Sequence, residues 1–188
     1  LAGPAVNGSE ILLSQSRKAG ELAGTPQAFL DENEKLASTI YNIIRANTVE
    51  EILKTNITNA LNDYKTNNPQ SPLTPHITPM MIAQQLSVLK SDWLCNFIRI
   101  EPKDYLEKTT CPVLALNGSK DVQVLPDINL EGIKKGLANN KDVTIKILEG
   151  LNHLFQNAET GNVQEYANIQ ETFAPIALEI IKDWILER

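Results

Sequence analysis

The sequence predicts a mixed α/β fold: a helical layer followed by a β-α-β unit and a closing helix. Three observations carry this reading. Apolar residues recur at helical spacing from residue 10 to 68, with no convincing strand between them. Two short apolar runs, Pro112–Leu116 and Val143–Leu148, flank a helical stretch at Asn129–Ala138, the order expected when neighbouring strands lie parallel. Just past those runs stand an acid and a histidine, Asp121 and His153.

The elements follow in order. Leu1-Ala2-Gly3-Pro4-Ala5-Val6-Asn7-Gly8 reads as the end of a strand entering a Gly/Pro turn, so residues 1–9 are assigned to a core strand end and turn. With no basic region ahead of a long apolar run, it is not a signal peptide. A chain that opens inside an element is expected to be a truncated or processed product. Residues 10–104 are assigned to a helical region. Glu10 to Ala23 forms its first helix; Thr25 is expected to cap a second that starts at Pro26 and carries Phe29, Leu30, Leu36, Ile40, Ile43 and Ile44. Thr48-Val49-Glu50-Glu51 has the form of a capping box ahead of Ile52, Leu53, Ile57 and Leu61.

The proline-rich segment Asn67–Pro75 predicts an extended linker. Thr78-Pro79 restarts a helix, with Met80, Met81, Ile82, Leu86 and Leu89 expected inward. Trp93, Leu94, Phe97 and Ile98 form the densest large apolar cluster. The remainder, 105–188, is the α/β part, closed by an amphipathic helix at Pro175–Glu187 whose Ile176, Ile180, Ile181, Trp184 and Ile185 are available to a sheet. Asp127 and Glu131 are placed to offset a helix dipole.

Composition limits the partners. A net charge of −6 without a Lys/Arg block argues against nucleic acid and anionic membrane surfaces. Two cysteines, Cys95 and Cys111, are too few for a disulfide framework or a cysteine metal site, and Cys111 is expected to be buried. Only two histidines, His76 and His153, occur, so no metal and no cofactor is expected. No stretch approaches membrane-spanning length.

Chemistry is expected where the two strands end. Strands joined by a helical crossover leave their carboxyl ends at one sheet edge, where open α/β sheets bind ligands. Asp121 and His153 on adjacent exit loops can therefore hydrogen-bond, with Gly118 and Gly150 letting each loop turn off its strand. A histidine can shuttle a proton, and a carboxylate at its second nitrogen fixes the tautomer. Taken singly, Asp121 reads more simply as a turn residue and His153 as a capped surface histidine; the pairing at matching strand ends favours chemistry.

Cys111-Pro112-Val113-Leu114-Ala115-Leu116-Asn117-Gly118-Ser119-Lys120-Asp121 resembles the acid-strand motif of the α/β-hydrolase superfamily, and Glu149-Gly150-Leu151-Asn152-His153-Leu154-Phe155 resembles its histidine loop. Glu171-Thr172-Phe173-Ala174-Pro175 and the opening Leu1-Ala2-Gly3-Pro4 are similar to a bacterial serine-aminopeptidase-like or esterase-like branch. The resemblance covers 105–188 and the first few residues. It implies the C-terminal portion of that fold, a few-stranded parallel sheet with flanking helices, with 10–104 as an inserted helical cap. It implies Asp121 as triad acid, His153 as general base, and Trp93 and Phe97 over the substrate pocket, although packing within the cap is the simpler explanation of that aromatic pair.

The nucleophile is missing. No serine or cysteine has glycine two positions before and after it, and Ser9, Ser16 and Ser119 are not substitutes. The implied function is therefore the C-terminal part of a serine hydrolase for small ester, amide or peptide substrates, inactive alone. The alternative is a binding module that keeps the fold without catalysis. An exposed sheet edge suggests either a homodimer or cover of that edge by the helical segment, and the expected location is soluble, in the cytoplasm or a bacterial periplasm.

Overall fold

In the computed structural model, which describes residues 5–89 and 91–188, the helical periodicity resolves into α1 (Gly8–Leu22), α2 (Gln27–Ala46), α3 (Glu50–Asn67), α4 (Pro79–Val88) and α5 (Asp92–Arg99). These helices lie in one compact unit, Asn7–Ile100. The strand end expected at 1–9 lies partly outside the described residues. From Ala5 onward no strand forms, because Asn7 instead caps α1, its side chain accepting from Glu10 N at 3.1 Å.

Two other expected caps are not made. Thr25 N–H closes the end of α1 onto Gly20 O at 2.9 Å, so Pro26 precedes α2 without a side-chain cap. Val49, not Thr48, precedes α3; Glu51 turns to Lys54 at 3.0 Å instead of reaching back.

The core of this unit comes from helical spacing. Leu36, Ile40 and Ile44 of α2 meet Leu53, Ile57 and Leu61 of α3, and Ile57 and Leu61 are at most 1% exposed. Cations close two helix ends reciprocally. Arg99 donates to Ile44 O at 2.9 Å and Asn47 O at 2.7 Å, while Arg45 donates to Ile98 O at 3.1 Å.

The segment Asn67–Pro75 is not extended. Tyr64 Oη meets both Glu32 (2.6 Å) and Ser71 (2.7 Å), a short 3-10 turn forms at Thr74–His76, and Leu73 and Ile77 enter the core. The prolines stop an α-helix there; burial of the apolar residues folds the segment back. Met80 is 81% exposed rather than inward: Thr78 caps the helix through Met81 N, which leaves Met80 on the outside of the first turn. Met81, Ile82 and Leu86 do pack on the core, and Leu89 is buried.

The second unit comprises Glu101–Arg188 with Ala5 and Val6. Its order is α6 (Lys103–Leu106), β1 (Val113–Gly118), α7 (Pro126–Gly136), β2 (Val143–Leu148) and α8 (Pro175–Leu186). The strands are parallel and in register from Val113 opposite Val143 to Gly118 opposite Leu148. β1 runs two residues beyond Leu116, which brings Asn117 and Gly118 into the strand. Cys111 is exposed, not buried, because it precedes β1, where its carbonyl accepts from Asn140. Asp127 lies in the first turn of α7, while Glu131 pairs with Lys135.

α8 packs Ala177 and Ile180 against Leu148 and Leu151, and Trp184 Nε1 donates to Thr144 Oγ1 at 3.2 Å. Ile176 and Ile185 are more than half exposed, so they are not part of that contact. Among the described residues, no helix is long and apolar enough to cross a membrane.

Candidate functional site

β1 and β2 end on register partners, Gly118 and Leu148, so their exit loops leave the sheet side by side. Gly118 is what lets them touch. A Cβ there would overlap the carbonyl oxygens of both Leu151 and Asn152, so the histidine loop can cross the end of β1 only over a glycine. Lys120 N–H then bonds Leu151 O at 2.9 Å, and Ser119 N–H bonds Leu148 O at 2.9 Å. Gly150 turns the second loop with a φ of 77°.

That crossing brings Asp121 and His153 together, with His153 Nδ1 2.9 Å from Asp121 Oδ2. Three further donors converge on the carboxylate: Gln123 N (2.9 Å) and Val124 N (2.8 Å) on Oδ1, and Asn117 Nδ2 (3.1 Å) on Oδ2. A carboxyl group placed to accept from these three donors is suited to accept a fourth from Nδ1–H, the tautomer that would leave Nε2 with its lone pair. Asp121 is buried, whereas the His153 side chain keeps about a fifth of its surface, 21%, open. The hydrogen bond to Asp121 raises the His153 pKa above its ordinary value, helped by the carboxylate's charge; partial burial of the ring opposes this.

Buried asparagines hold the acid. Asn117 Nδ2 also donates to Val124 O at 3.0 Å, its Oδ1 accepts from Asn129 Nδ2 at 2.8 Å, and Asn129 Oδ1 accepts from Ala5 N at 2.8 Å. The chain of bonds thus runs from α7 through β1 to the carboxylate, and every member has a partner. Asn152 performs the same task for the histidine loop. It is wholly buried, accepts from Leu154 N and Gln156 N, and donates to Gln156 Oε1. Phe155, in the same loop, holds a positive φ of 55°, a conformation costly for an aromatic residue and fixed here by its neighbours.

A third segment reaches the pair. Tyr166, in the 3-10 turn Val163–Asn168, receives a hydrogen bond from Gln123 Nε2 at 2.9 Å. Burial foremost raises the Tyr166 pKa.

Sequence reasoning found Asp121 and His153 but not Asn117, Gln123, Asn129, Asn152 or Tyr166. A polar residue closing an apolar strand was the available signal for Asn117. Tyr166 had none, since it comes from a distant irregular segment. Trp93 and Phe97 lie on α5 of the helical unit, where they stack with centroids 5.2 Å apart and planes 5° from parallel; Trp93 is 71% exposed. Ser119 Oγ donates to Glu149 and accepts from Gly150 N, an arrangement that ties the two loops together. Among the described residues, no group of three or more His, Cys, Asp or Glu side chains is placed to hold a metal ion.

Compared with known protein families, curated proteins and solved structures, the chain matches none of them.

Proposed function

We propose that Asp121 and His153 are the acid and general base of a serine hydrolase that cleaves ester, amide or peptide bonds, with a nucleophile supplied from outside these 188 residues. The observation that carries this reading is the 2.9 Å bond between Nδ1 and a buried carboxylate on adjacent strand exits. With the ring proton on Nδ1, Nε2 is the basic atom of a partly open ring. The motif resemblance of 111–121 and 149–155 to the α/β-hydrolases supports the same assignment, with 105–188 as core and 10–104 as cap.

In that reaction Nε2 takes the proton of a serine hydroxyl as its oxygen adds to the carbonyl carbon. The imidazolium then gives the proton to the departing alkoxide or amine, and an acyl-enzyme remains. Water repeats the sequence, losing a proton to Nε2 and releasing the acid. Asp121 stays ionised throughout and stabilises the imidazolium. Trp93 and Phe97 are proposed to contribute to substrate binding.

Fluorophosphonate labelling of the uninterrupted natural protein tests the proposal. One serine outside residues 1–188, set in a Gly-x-Ser-x-Gly turn, should react. His153→Ala should slow labelling by at least about a thousandfold, since triad members act as a unit. The 188-residue chain itself should hydrolyse p-nitrophenyl acetate no faster than free imidazole does. Labelling indifferent to His153→Ala would refute the assignment and favour a binding module.

A further inference from the structure

A cavity of about 310 Å³ opens inside the helical unit, among α1, α2, α3 and the segment before α4. Its floor is apolar and buried: Leu30, Leu36, Ile40, Leu61, Leu73 and Ile77. The cavity is partly open to solvent, with polar side chains beside the apolar floor. It falls within the range of sites that hold small molecules. At the roughly 30 Å³ that a water occupies in the liquid, it takes on the order of ten methylene-sized groups.

The polar groups at the cavity define the head of its occupant. Arg17 lines it, yet its guanidinium is already engaged by two carboxylates, Asp31 at 2.6 Å and Glu34 at 2.5 Å. Arg17 is therefore already neutralised, a second carboxylate beside Glu34 would be repelled, and the other nitrogen group at the cavity, the His76 ring, packs edge-on against Phe29. Tyr41 and Asn33, from α2, also line the cavity, and neither side chain has a hydrogen-bond partner among the described residues. They offer a hydroxyl and an amide to a neutral polar group. Ala37, one turn from each, leaves the space that a larger side chain would fill.

We propose that the helical unit binds a neutral, chain-like amphiphile: an apolar chain of about ten carbons ending in a hydroxyl, ester or amide. The chain lies on the leucine and isoleucine floor, and the head bonds Tyr41 or Asn33. The proposal stands independently of any role for Asp121 and His153.

Titration calorimetry of the full chain with 1-decanol, decanoate and decylammonium tests it. Decanol should bind saturably, one per chain, with a negative heat-capacity change. Decanoate should bind at least about tenfold more weakly, because its charge would be buried without a partner. Tyr41→Phe should weaken decanol by roughly two- to tenfold, the effect of losing one hydrogen bond. Ala37→Leu should abolish binding while circular dichroism remains that of the parent; if that variant does not fold, Tyr41→Phe decides. The proposal fails if decanol shows no saturable binding, if either charged probe binds as tightly, if Tyr41→Phe binds as the parent does, or if folded Ala37→Leu still binds.

Discussion

The site depends on side chains that would gain nothing by acting alone. Asn117 spends its amide on Asp121 and Val124 and its carbonyl on Asn129. Asn117→Ala therefore leaves buried partners unsatisfied and should cost about 1–3 kcal/mol by chemical denaturation. Leucine, which matches the apolar run, should not restore it. The histidine makes stability depend on pH in a defined direction. Its folded pKa is raised above the unfolded value of about 6.5, so its stabilising contribution is complete below that value and is lost as pH rises through the folded pKa. Denaturation of the parent and His153→Gln should differ more at about pH 5.5 than at about pH 9; the reverse ordering would show that Asp121 does not hold the ring. Asp121 and His153 were legible in the sequence because each follows an apolar run closely. The asparagine chain was not, because Asn129 meets Asn117 only once β1 extends to Gly118 and α7 begins at Pro126.

At the scale of elements, two glycines serve the same loops for different reasons. Gly118 is required by contact: alanine would strike the backbone of the histidine loop and should cost upwards of about 2 kcal/mol. Gly150 has open space around it and is required by its positive φ, so Gly150→Ala should cost only about 1–2 kcal/mol. Denaturant melts of the two variants check the order. Gly118→Ala should in addition broaden or shift the His153 ring resonances. Strands and helices were readable from periodicity wherever a buried stripe ran long enough, as on α2 and α3. Caps were not: Thr25 follows the turn that ends α1 and leaves Pro26 at the start of α2, and Glu51 pairs with Lys54 in place of reaching back. The proline-rich stretch misled for a similar reason: proline excludes a helix but does not dictate whether Leu73 and Ile77 are buried.

For the whole molecule, each of the two compact units has an apolar cluster of its own. In the second, β1 and β2 pair only with each other among the described residues. Parallel sheets are ordinarily larger and covered on both faces, and the homodimer expected from the sequence would pair such an edge with a second copy. Sedimentation should then show self-association that grows with concentration, and a monomer throughout would remove the dimer. The mixed α/β class was legible from the change of pattern near residue 105. The hydrolase assignment rests on motif resemblance together with one hydrogen bond, so that bond is the place to test it. Nitrogen-15 NMR of His153 in the intact chain reads both the tautomer and the pKa. The expected spectrum at about pH 8.5 has a protonated Nδ1 and a bare Nε2, with a titration midpoint above about 6.5 that falls in Asp121→Asn. A proton on Nε2, or a midpoint indifferent to Asp121→Asn, would contradict the account.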